Sequence, residues 1–309
     1  MQTSDKCPSS SAHVRVLLAT FNGVRWLDEQ LQSIVWQRGV RVSIVASDDR
    51  SDDGTAGLLD AWAGRAPLYC LPTKDIRMGN ANQNFLRLIR DTPLDDAEYF
   101  ALSDQDDIWL EDKLQHAVAS LTAGADAYSS NVCAFWPDGR AAVLDKAQPQ
   151  RPFDHVFESS GPGCTFVFPR HRFEQLQAWV TAHHADLVSL KVHDWLIYAH
   201  ARERGWSWHI DPSIGLRYRQ HGGNEAGANI GLKAIRVRLR RIQSGLFRQE
   251  ALAIADAIGA EHQVILRLRR FSAVDRLWLA WHADDLRRRR RDQWTLRAFL
   301  LLMPRTGGD

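Results

Sequence analysis

Cysteine is scarce in this 309-residue chain, and long apolar runs are missing altogether. The four cysteines, Cys7, Cys70, Cys133 and Cys164, lie far apart and form no CxxC pair. That spacing predicts free thiols in a reducing, cytoplasmic setting. No basic segment followed by an apolar stretch opens the sequence, so no secretory leader is read there. No apolar run approaches the ~18 residues that span a bilayer, and Phe299 to Met303 is far too short. No internal repeat is present, which argues against a solenoid. What is there is ordinary: 45% hydrophobic and 25% charged residues, the balance of a soluble globular protein rather than a disordered or fibrous one. One large domain plus an appendage is expected, after a polar, Ser-rich tail over Met1 to His13.

The formal charge of +2 conceals an asymmetry. Leu232 to Asp309 carries 17 Lys/Arg against 8 Asp/Glu, and the remainder carries 22 against 29. A basic appendage is therefore attached to an acidic body, and it invites a partner of its own. Its arginines, in Leu266 to Arg270 and in Arg287 to Arg291, alternate with Phe271, Leu277, Trp278, Trp281, Trp294, Phe299 and Leu300. This mixture suits helices lying on an anionic membrane surface, with each arginine near the leaflet contributing ~1 kcal/mol. It equally suits a helical hairpin packed on the body. Arginine runs also bind phosphate backbones, but nothing here resembles a groove-reading module, and no nucleic-acid partner is expected.

The first third reads as alternating strands and helices. Val14 to Ala19 is a short apolar run that fits a buried parallel strand. Asn22 caps a helix whose Leu27, Leu31, Ile34 and Val35 share one face. Val42 to Ala46 is a second strand, Ser51 or Asp52 caps a helix ending near Gly64, and Leu68 to Leu71 is a third strand. Asn80 to Arg90 is a helix with Phe85, Leu86 and Ile89 inward, and Tyr99 to Leu102 is a strand. The βαβαβαβ order predicts an open, mostly parallel sheet with its ligand site beyond the carboxyl ends of the strands. Further on, strands are expected at Ala127 to Phe135, Thr165 to Phe168, Trp206 to Ile210 and Ile214 to Arg219. Helices are expected at Arg172 to Ala182, Asp194 to Glu203 and from Leu232 onward.

Chemistry gathers at the strand ends. Asp104-Gln105-Asp106-Asp107 follows a buried strand, and so many acids in one turn repel one another unless a cation neutralises them. Hard oxygen ligands suit Mg²⁺ or Mn²⁺. A solvated turn with Asp107 capping the next helix is the alternative, and Trp109 at the glycine position excludes an EF-hand. In Asp48-Asp49-Arg50-Ser51-Asp52-Asp53-Gly54, one carboxylate can accept hydrogen bonds from a base or ribose, while Asp52 or Asp53 serves as a cap. Arg77 and Gly79 through Asn84 bring a cation and amides to a helix start, where an anion or a sugar hydroxyl can bind, although capping by Asn80 or Asn82 explains much of the pattern. Asp194 opens a helix and reads both as its cap and as a positioned base, with a pKa lowered by the helix N-terminus. Arg219-Gln220-His221-Gly222-Gly223 joins a cation, an imidazole and a bendable backbone, so His221 suits a metal or a phosphate.

Taken in order, Ala19-Thr20-Phe21-Asn22-Gly23, Ser47 through Thr55, Gly79-Asn80 with Asn84-Phe85, Ser103 through Asp107, His193-Asp194-Trp195 and Arg219-Gln220-His221 resemble family 2 glycosyltransferases of GT-A fold, over roughly Val14 to Asn224. The resemblance implies an α/β domain over 14–231, its nucleotide-sugar half about 14–110 and its acceptor half about 111–231; the charge and helical pattern add a helical basic extension over 232–309. It implies that Thr20 and Asp49 contact the nucleoside and that Asn22, Arg77, Asn80 and Asn84 line the donor side. Asp104 and Asp106 form the DxD motif, Asp106 being the direct metal ligand. His221 completes the metal and diphosphate site beside Arg219, Asp194 is the base of an inverting displacement, and Gly163-Cys164 lines the acceptor side. The DQDD form followed by Ile108-Trp109 is similar to rhamnosyltransferases of bacterial surface polysaccharides. The implied donor is dTDP-L-rhamnose first and a UDP-hexose second, the implied acceptor a glycan or lipid-linked hydroxyl. A nucleotidyltransferase is the competing enzyme reading.

Overall fold

The computed structural model describes residues 11–72, 77–221 and 245–302. Its first half alternates as its periodicity demands: β1 (Ala12–Thr20), α1 (Val24–Val35), β2 (Val40–Asp48), α2 (Thr55–Ala63), β3 (Leu68–Cys70), α3 (Ala81–Asp91) and β4 (Tyr99–Ser103). Then follow β5 (Ile108–Trp109), α4 (Lys113–Thr122), β6 (Ala127–Phe135), β7 (Ala141–Leu144), β8 (Val167–Pro169), α5 (Arg170–Leu187), α6 (His193–Glu203) and β9 (Trp208–Arg219). Among the described residues the strands form one sheet in the order β3-β2-β1-β4-β8-β6-β9-β5, with β7 beside β6. The β3-β2-β1-β4 half is parallel, and β8 enters antiparallel to β4.

Both faces of this sheet are covered, which is why β1 is a continuous apolar run. Val14, Val16 and Leu18 pack toward Leu27, Leu31 and Ile34 of α1. Leu17 and Ala19 point the other way, into Phe85, Leu88 and Ile89 of α3. The 27/31/34 spacing places three side chains on one helical face, each contributing about 2 kcal/mol on full burial.

The C-terminal helices are α7 (Leu246–Ile258), α8 (Gln263–Arg270), α9 (Ala273–Trp281), α10 (Ala283–Leu286) and α11 (Arg290–Leu302). Their apolar faces, including Ala251, Ile254, Ile265 and Leu279, continue the core around Phe157, Trp195 and Trp208. The polar tail before residue 11 and the boundary expected at 231/232 lie outside the described residues.

Local expectations needed correction where a loop makes tertiary contacts. Asn22 does not cap α1: Gly23 holds that position, and Asn22 sits at φ 47° with Oδ1 accepting from the Asp52 N–H at 3.0 Å. Neither Ser51 nor Asp52 caps α2. Gly54 holds its N-cap position at φ 96°, a left-handed conformation that glycine adopts without steric cost. Asp53 supplies the acceptor, taking the Thr55 N–H at 3.0 Å and the Val24 N–H at 3.1 Å, so it ties the starts of α1 and α2 together. Asp107 caps nothing, since α4 starts only at Lys113. The Thr165 to Phe168 strand begins later, after a 3₁₀ turn over Gly163–Thr165. The strands expected at Trp206 to Ile210 and Ile214 to Arg219 merge into one, β9, which begins only at Trp208 and whose register against β6 shifts near Asn131.

Candidate active site

The carboxyl ends of β1, β2 and β4 stand side by side. Thr20 pairs with Asp48 across β1 and β2, and Leu18 with Ser103 across β1 and β4. The Thr20 hydroxyl, almost wholly buried, donates to Asp48 Oδ1 at 2.8 Å. Asn84 reaches from α3 and donates to the carbonyls of Thr20 at 3.2 Å and Ser47 at 2.9 Å, locking the two strand ends together. Asp49 accepts from the backbone N–H groups of Met78 at 2.5 Å and Gly79 at 2.8 Å, with Arg77 Nε at 3.9 Å. The Arg77 guanidinium lies 3.5 Å over the Phe21 ring. Asn80 is the N-cap of α3, accepting from the Gln83 N–H at 2.9 Å. Asp49, Arg77, Asn80 and Asn84 thus meet at one edge of the sheet.

The acidic loop after β4 is built into the fold rather than left in solvent. Gln105 clamps Phe21, accepting its N–H and donating to its carbonyl, both at 2.8 Å. A side chain on Gly23 would strike that amide. Asp107 is fully buried, and its Oδ1 accepts from the Arg219 N–H at 3.0 Å. Arg219 also donates Nε to the Asp106 carbonyl at 2.8 Å and pairs with Glu29. His221 Nε2 lies 2.7 Å from Asp106 Oδ2, and its ring stacks on Trp26 at 4.1 Å. Ligand atoms of Asp104, Asp107 and Cys164 come within 4.8 Å of one another.

These contacts concentrate negative charge. Burial, then the neighbouring Asp106 and Asp104, push the Asp107 carboxyl well above the usual range. Burial followed by Asp107 and Asp104 raises the Cys164 thiol as well. Beneath them Lys113 is wholly buried with its ammonium 3.2 Å over the Trp109 ring, and burial brings it down to about 7 against the pull of Cys164 and Asp107. Asp104 and Asp107 thus gather with Cys164 while Asp106 pairs with His221 beside them, and the carboxylates supply the hard oxygen donors that fit Mg²⁺ or Mn²⁺.

The 3₁₀ turn Gly163–Thr165 joins this cluster to the start of α6. Cys164 touches the acids, while a Cβ on Gly163 would collide with the His193 ring, itself stacked on Phe85 at 4.1 Å. Asp194 follows His193, but Val192 is the N-cap of α6, so Asp194 is not the expected cap. Its Oδ1 accepts from the adjacent Trp195 N–H at 2.7 Å. Burial raises its carboxyl to about 6, opposed by that hydrogen bond and by Lys146. The expected lowering by the helix end is outweighed by desolvation.

Residues 15–162 match the family model described as glycosyl transferase family 2. Over 288 residues, 92% of this chain and 99% of its relative, the sequence is 38% identical to the dTDP-rhamnosyl transferase RfbG of Shigella flexneri. The chain belongs to glycosyl transferase family 2. As a glycosyltransferase it has the expected GT-A architecture, shared with S. aureus TarS 1-349 in complex with UDP-GlcNAc: TM-score 0.57, 13% identity, 88% of this chain and 73% of that one. The mannosyltransferase PcManGT from Pyrobaculum calidifontis, in complex with GDP-Man and Mn²⁺, superposes with TM-score 0.51 at 18% identity, covering 95% of this chain and 86% of that one. In this family member, sequence reasoning missed the Gln105 clamp, buried Lys113, and the Trp26 and Glu29 partners of His221 and Arg219. An amide within a run of acids was the available signal for Gln105. A lysine just inside a helix offers none for burial.

Proposed function

We propose that this glycosyltransferase moves L-rhamnose from dTDP-rhamnose to a hydroxyl of a lipid-linked glycan in surface-polysaccharide synthesis. The observation that carries the donor is the 38% identity with a dTDP-rhamnosyl transferase over nearly the full length of both chains. In this reading Thr20, Asn22, Asp49 and Arg77 receive the nucleoside, Asn80 lines the donor side at the start of α3, and Asn84 holds the ends of β1 and β2 together beneath it. Asp106, with Asp104 and His221, would hold Mg²⁺ or Mn²⁺, which supplies positive charge to the departing diphosphate. Arg219 fixes the acidic loop through two hydrogen bonds and stands beside the same diphosphate.

Asp194 is the base. A carboxyl raised to about 6 is ionised at neutral pH yet more basic than an exposed aspartate. It takes the proton of an acceptor hydroxyl, which attacks the anomeric carbon opposite the diphosphate and inverts that centre. Gly163 and Cys164, between Asp194 and the acids, line the acceptor side. A thermal-shift panel of dTDP-, UDP- and GDP-sugars with and without Mn²⁺ tests the donor, because a ligand of the native state raises its stability by mass action. dTDP-rhamnose with Mn²⁺ should give the largest shift. A larger shift with a UDP-sugar would reject the proposed donor.

The extension supports a peripheral place on an anionic inner membrane face. Val274, Leu277 and Trp281 stand 69%, 60% and 82% exposed on α9, and Trp294 and Leu301 stand 68% and 53% exposed on α11, too much apolar surface for chance singles. α9 and α11 pack against each other. The exposed Arg290 and Arg291 lie one helical turn from Trp294. Apolar side chains flanked by arginines match an anionic bilayer surface.

A further inference from the structure

We propose that His155, Glu203 and His262 form a zinc site that fastens the C-terminal helices to the transferase body. The three residues come from separate segments: the 3₁₀ turn Asp154–Val156, the last residue of α6, and the residue capping α8. Their ligand atoms lie within 4.8 Å of one another. Both imidazoles aim Nε2 at the same carboxylate oxygen, His155 at 3.3 Å and His262 at 3.9 Å from Glu203 Oε2. With Zn–N and Zn–O bonds of ~2.0–2.2 Å, tetrahedral coordination separates neighbouring ligand atoms by roughly 3.3 Å. The first separation already has that value, and the other two, each within 4.8 Å, would close toward it around an ion.

A hydrogen-bonded ion pair accounts for His155 and Glu203, whereas His262 stands 3.9 Å from the same carboxylate oxygen, beyond hydrogen-bond reach. Both ring nitrogens of His262 are shielded from solvent and make no hydrogen bond among the described residues. Its ring is held against Phe153 at a centroid distance of 4.7 Å, so it cannot readily turn outward. The His155 side chain is only 5% exposed, and its Nδ1 also lacks a hydrogen bond. Two nitrogens and one oxygen form a borderline-soft set that suits zinc, whereas the oxygen-rich donor site suits Mg²⁺ or Mn²⁺. The two sites share no residue.

The test uses full-length protein equilibrated with Zn²⁺ in excess Mg²⁺, passed through gel filtration and assayed for metal by mass spectrometry. The wild type should retain about one zinc per chain, held by the three side chains with water as the fourth ligand. Added zinc should raise its thermal midpoint, and Co²⁺ in its place should give the intense visible bands of a tetrahedral site. His262→Gln and Glu203→Gln should both lose the retained zinc and the thermal shift. Wild type that retains no zinc overturns the site, as does equal retention in both variants. Should the variants fail to fold, the wild-type Co²⁺ spectrum decides, because weak octahedral bands would also overturn it.

Discussion

As the proposed base, Asp194 would couple function to stability. Its carboxyl is raised by burial from 3.8 to about 6, so the native state disfavours the ionised form. The neutral form's contribution to stability is therefore fully present below the unfolded value of 3.8 and is lost as pH rises through about 6. Asp194→Asn should consequently be more stable than wild type above pH 6, by up to ~3 kcal/mol, with the difference vanishing near pH 4. Thermal midpoints across pH measure this. The same substitution should lower kcat by ~10²- to 10⁴-fold while leaving donor binding nearly intact, and wild-type turnover should fall as pH drops through about 6. Near-normal turnover by the variant would remove Asp194 as the base.

The segment joining α10 to α11 behaves differently from its sequence. A run of five arginines suggests a solvated or lipid-facing surface, yet its first three members turn inward. Arg287 donates to the Phe157 carbonyl at 2.6 Å, and Arg289 pairs with Asp145. Arg288, whose side chain is completely buried, reaches Asp154 at 3.6 Å and Glu158 at 3.5 Å and donates to the Ser159 carbonyl at 2.6 Å. Removing one member of such a buried network strands the others without a countercharge. Arg288→Ala should therefore destabilise the protein by about 3–5 kcal/mol in urea denaturation, whereas Arg291→Ala, on an exposed side chain, should stay within ~0.5 kcal/mol. Equal costs would mean that the run does not dock these helices.

For the molecule as a whole, the outward face of the extension becomes the place to test membrane contact, and it is defined by tryptophans more than by the arginine run. Full-length protein should float with anionic vesicles, less so as salt rises, because the arginine contribution is screened. Trp281→Ala combined with Trp294→Ala should abolish flotation without lowering the thermal midpoint, since both rings are largely exposed. Equal flotation of wild type and the double variant on anionic lipid would reject this face as the contact.

Much of the catalytic half was legible in the sequence alone. Buried parallel strands require apolar runs, amphipathic helices require the 3.6-residue stripe, and short polar turns at strand ends place Thr20, Asp49 and Asp104 at one edge whatever the details of packing. Local pattern could not show which charged groups are taken out of water or what they then meet. Asp107, Lys113 and Arg288 are all buried, although nothing in their neighbouring sequence marks them for the interior. Asp194 reads as a helix cap with a lowered pKa, yet desolvation raises it. Burial and long-range partners depend on how β9, the 3₁₀ turns and the C-terminal helices close around the sheet. Only the tertiary structure could decide them, because desolvation is a property of the surrounding volume rather than of neighbours in sequence.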